Sequence, residues 1–106
     1  MKDYLVVLMT SSSREESGKI VDELLRRRLA ACVSIFPKGE SFFWWEGKID
    51  MEKEFLLIAK TRSARLDALV ETVKKIHSYD VPEIISLPLT GGNPDYLRWL
   101  GEALEE

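Results

Sequence analysis

The 106-residue sequence contains one cysteine and one histidine. Cys32 alone cannot close an intrachain disulfide, and His77 alone cannot build a His-rich metal cage, so a closed zinc site within one chain is excluded. No run of 18 apolar residues occurs. The longest, Tyr4 to Met9, follows Lys2 and Asp3 rather than a basic leader, so neither a membrane span nor a signal peptide is expected and the cytoplasm is the expected compartment. A basic excess is also missing: 15 Lys and Arg stand against 18 Asp and Glu, for a formal charge of −3. Phosphate neutralisation needs a net basic face, which argues against nucleic acid as a partner. The one basic run, Arg26-Arg27-Arg28, is expected to close a helix, where cations meet the negative end of the dipole. Enzyme signatures are lacking too. His77 has no Ser or Cys partner fixed by spacing, and Gly91-Gly92 lacks the Lys and Ser/Thr of a phosphate loop, so no catalytic activity is expected.

Apolar matter is plentiful, at 45% of residues with three tryptophans. A 12.2 kDa chain should expose about 6,000 Å² when folded. The run Phe42-Phe43-Trp44-Trp45 is more aromatic surface than so small a core readily absorbs, so the single domain expected over residues 1–106 is also expected to form an oligomer.

Periodicity divides the chain into seven elements. Tyr4–Met9 reads as a strand covered on both faces. Ser13 and Glu16 have capping-box spacing and open a helix with the stripe Ile20, Val21, Leu24 and Leu25. Ala31–Phe36 reads as a strand, Pro37-Lys38-Gly39 as a bend, and Ser41–Trp45 as a second extended stretch. Glu46-Gly47-Lys48 begins a hairpin turn, and the chain returns through the apolar strand Glu54–Lys60. Ser63 is placed to cap a helix carrying Leu66, Leu69, Val70, Val73 and Ile76. Glu83–Leu87 reads as a strand stopped by Pro88, and Asn93-Pro94 opens a last helix. The order βαββαβ plus a C-terminal helix predicts an α+β, ferredoxin-like sandwich with an antiparallel sheet. The fully apolar first and third strands belong at its centre, and the proline-bearing second and fourth at its edges.

Four consecutive aromatics on an edge strand cannot all face the core, because alternation turns half of them outward. Burial in a subunit interface is weighed above a stacking platform for a base, since aromatics are enriched in interface cores. An RNA-binding sheet would need aromatics within the third strand, and Phe55-Leu56-Leu57-Ile58 offers one.

Five blocks, taken together, resemble the CutA (CutA1) divalent-cation tolerance proteins: Leu29-Ala30-Ala31-Cys32-Val33, Trp44-Trp45-Glu46-Gly47-Lys48, Glu54 through Thr61, His77 through Ile84, and Asn93 through Leu100. They run in order along nearly the whole chain. The resemblance implies a stable homotrimer with edge strands paired across subunits, and assigns Phe43, Trp44, Trp45 and Trp99 to its interface. It also implies copper or other divalent cations as weak ligands. In the family copper binding is attributed to a Cys ending the first strand and to His residues near the end of the second helix. Met9 stands at that Cys, Ile76 at the first His and His77 at the second, so Met9 and His77 are the candidate ligands. Thioether and imidazole both bind copper, but two ligands do not close a site. The plainer reading makes Met9 core and His77 a hydrogen-bonded helix end. The sequence departs from the family at Thr10–Ser13, which lacks its usual proline, and at Ser78, which replaces one. Cys32 is taken as a small core hydrophobe. Glu54, Lys60, Tyr79 and Glu83 match family positions and form a candidate ligand cleft, for which intersubunit ion pairs are the plainer reading. The expected function is weak metal binding in cation tolerance. A PII-like trimeric interaction or ligand-sensing module, without a physiological metal, is the second reading.

Overall fold

Alternation along β1 (Tyr4–Ser11) divides the protein into two layers. Val7 and Met9 are fully buried and meet Ile20 and Leu24 of α1 (Arg14–Arg26) and Leu69 and Val73 of α2 (Ser63–Ile76). The other face of the same strand begins with Tyr4, which packs with Leu97, Leu100 and Leu104 in and beside α3 (Pro94–Ala103). Completing the sheet are β2 (Cys32–Trp45), β3 (Lys48–Arg62) and β4 (Ile84–Pro88), in the order β2-β3-β1-β4 with every pairing antiparallel. This computed structural model describes residues 3–105. It has the expected ferredoxin-like architecture, with β1 and β3 central and the proline-bearing strands at the edges.

Local chemistry explains the boundaries and the departures from expectation. The Ser13 hydroxyl accepts the Glu16 N–H at 3.0 Å, which starts α1. The arginine run ends it: Arg28 adopts φ 57°, while the Leu29 and Ala30 N–H groups turn back to the Leu24 carbonyl. At α2 the expected Ser63 cap is instead the first helical residue, Arg62 being the N-cap, and no side chain caps the helix. Pro88 lies inside β4, as an edge strand permits. Pro37 does not break β2. Pairing with β3 shifts register between Phe36 and Gly39, a bulge that removes the proline from the ladder and lets the strand continue.

That bulge creates the longest feature of the molecule. From Gly39–Glu54 to Trp45–Lys48, β2 and β3 pair as a two-stranded ribbon, while β1 joins β3 only from Phe55 onward. Glu46 (φ 49°) and Gly47 (φ 79°) close the ribbon with the two successive positive φ angles a tight hairpin needs. The molecule measures 44 × 26 × 23 Å, and its 14.4 Å radius of gyration exceeds the roughly 13 Å of a compact chain this size. Its 6941 Å² of accessible surface likewise exceeds the expected value of about 6,000 Å².

Large apolar side chains are part of that surface. One ribbon face carries the paired residues Phe42–Met51 and Trp44–Ile49, with Trp44 72% and Phe42 68% exposed. Behind it, the sheet face opposite α1 and α2 presents Val6, Leu8 and Ile58 half-buried and Phe36, Ile85 and Leu87 exposed. The helix α3 covers one end of that face.

At the root of the ribbon, a Cβ on Gly39 would stand 2.8 Å from the Glu54 carbonyl oxygen. Backbone is on both sides, so relief requires the bulge to shift. Gly39→Ala is expected to lower unfolding free energy by about 1–3 kcal/mol, read from urea denaturation followed by circular dichroism. An unchanged midpoint would show that the bulge yields freely.

Candidate functional site

Two loops meet beside the ribbon root, and Glu16 joins them. Its Oε1 accepts the Ser12 N–H at 2.9 Å and the Ser12 hydroxyl at 3.2 Å, and its Oε2 accepts the Ser78 N–H at 2.7 Å. Burial pushes this carboxyl up. The donors from Ser12 and Ser78, with His77 nearby, more than offset that and leave it below its ordinary value.

His77, the residue capping α2, is held as firmly. Its Nδ1 accepts the Tyr79 N–H at 3.0 Å, which leaves the proton on Nε2 to donate to the Thr10 carbonyl at 2.7 Å. The side chain has 0% exposure, and Glu16 Oε1 lies 3.8 Å from Nε2. Both ring nitrogens are therefore engaged within the chain. Tyr79 packs on the imidazole with centroids 4.8 Å apart and extends its hydroxyl to Glu54 Oε2, donating at 2.8 Å. Burial first, then the Glu54 carboxylate, pushes the Tyr79 phenol far above its ordinary value, so it remains a donor.

Between this loop and the ribbon lies a cleft of about 610 Å³. Asp50, Glu52 and Glu54 line it from β3, and Asp80 and Glu83 from the segment before β4. Phe42, Phe43, Trp45 and Tyr79 are its aromatic lining, and no Lys or Arg among the described residues lines the space. Asp50, Glu52 and Glu54 share a face because they alternate along a strand. That period of two was present in the sequence and was the overlooked sign of the cleft.

Of the four expected cleft residues, Glu54, Tyr79 and Glu83 come together there. Lys60 does not. It pairs with Cys32 at the opposite end of β3, its Nζ 3.8 Å from the Cys32 sulfur and 5.9 Å from the centre of the Tyr96 ring. Cys32 is half-buried at the edge, 3.6 Å from the Tyr96 hydroxyl, rather than enclosed in the core. The candidate copper pair is also unsuited to a shared ion: Met9 is fully buried in the helix-facing core, and both His77 nitrogens are hydrogen-bonded. Among the described residues, no three His, Cys, Asp or Glu side chains converge on a metal position. Of the expected interface residues, Trp44 and Trp45 stand exposed on the ribbon and Phe43 is half-buried. Trp99 lies partly exposed on α3, its ring centre 5.5 Å from that of Tyr96.

The split βαβ sheet with a long β2–β3 ribbon defines a ferredoxin-like fold of one particular build. A family profile described as CutA1 divalent ion tolerance protein matches residues 5–103, and the chain belongs to that family. It is 48% identical over 102 residues to the chloroplastic protein CutA 1 of Oryza sativa, covering 96% of this chain and 58% of that protein's length. The crystal structure of CutA1 from Oryza sativa superposes with a TM-score of 0.94 at 47% identity, covering 98% of this chain and 95% of that one. The structure of the periplasmic divalent cation tolerance protein CutA from Archaeoglobus fulgidus gives 0.92 at 43% identity, covering 96% and 99%.

The lowered Glu16 value ties stability to pH with a definite sign. A carboxyl depressed by folding stabilises above its unfolded value, and that contribution is lost as pH falls through the folded one. The resistance of the wild type to urea should fall from pH 7 to pH 3, and Glu16→Gln should show a shallower dependence. Identical slopes would remove Glu16 as a source of acid sensitivity.

Proposed function

We propose that the protein is a homotrimeric, non-catalytic divalent-cation tolerance protein that holds cations weakly at the acidic cleft. The carrying observation is the cleft's charge: five carboxylates, from Asp50 to Glu83, with no Lys or Arg among its lining residues. Like charges on low-dielectric walls reinforce one another's field and raise the local cation concentration without forming a chelate. Copper is the ion the family resemblance brings with it. Carboxylate oxygens suit harder ions such as magnesium, calcium or manganese better than Cu(I), so broad and weak selectivity is the expected behaviour.

The trimer reading is supported by the apolar surface left open. Phe42, Trp44, Ile49 and Met51 on the ribbon, and Phe36, Ile85 and Leu87 on the sheet, are too extensive a set for water to cover at no cost. An unpaired ribbon edge adds free backbone donors and acceptors that a neighbouring edge strand would satisfy. The engaged ring of His77 favours one alternative, in which a PII-like trimeric module answers a different ligand and metal binding is incidental.

Light scattering is expected to give three times the 12.2 kDa chain mass, and Trp44→Glu, which places a charge in the proposed contact, should shift it toward one. A wild-type mass of one chain would remove the trimer. In magnesium and copper titrations, Glu52→Gln should weaken binding while His77→Ala leaves it unchanged. Loss of copper binding in His77→Ala alone would return the site to the imidazole.

A further inference from the structure

We draw no further inference here: the strongest candidate, the side-chain cluster at the start of β2 in which the Cys32 sulfur lies 3.8 Å from the Lys60 ammonium and 3.6 Å from the Tyr96 hydroxyl, is a lone cysteine hydrogen-bonded by its neighbours, with no second observation that points to a ligand.

Discussion

The Glu16 carboxylate is the tie on which the cleft depends. It satisfies the N–H groups of Ser12 and Ser78, one in the loop after β1 and the other in the segment after α2. A charged acceptor for backbone donors is stronger than a neutral one, and here a single side chain serves both loops at once. Fixing Ser78 fixes its neighbours. His77 is pinned to Thr10, Tyr79 to His77, and Glu54 to Tyr79, so the order of one cleft wall descends in steps from the first turn of α1. Water cannot replace these links without entering a space where the His77 ring has no exposure.

The ribbon is the second constraint, and its energetics run the other way. Two strands alone are marginal in water, and this pair carries its largest apolar side chains on an uncovered face. Yet both strands are continuous with the central sheet, where Leu57 and Ala59 are fully buried. The core therefore anchors the ribbon's root, while its far end carries exposed apolar side chains. This division explains how a 12.2 kDa chain can be longer than its mass suggests and still hold a core of fully buried side chains around Met9, Leu57 and Leu69.

Much of this was legible in the residues. The apolar runs of β1 and β3 identified the central strands, and the prolines marked the edges. The irregularity expected at Pro37-Lys38-Gly39 is there as a bulge, which lets the ladder resume one step out of register and joins the two extended stretches into one strand. The cleft was half legible. Glu54, Tyr79 and Glu83 were found, but Lys60 was grouped with them although its strand parity and position carry it to Cys32 and Tyr96. The role of Glu16 was hidden behind its helix-capping spacing, since capping chemistry does not reveal which second loop the carboxylate reaches.

Lys60's departure from the cleft also decides the sign of the site. A formal charge of −3 understates the local field, because five of the arginines are engaged elsewhere, while Lys38, Lys48 and Lys53 are the cations that the ribbon strands carry. Arg28 and Arg65 donate to the carbonyls of Ala103 and Leu104 at the end of α3, Arg62 pairs with Asp3, and Arg26 and Arg27 pair with Asp22 and Glu23 on α1. Each places its charge on the helices or at the end of the sheet away from the ribbon. Among the described residues the acids of β3 have no such partners, and they share the cleft with Asp80 and Glu83. Coulomb repulsion there is what counterions from solution, or a bound cation, would relieve.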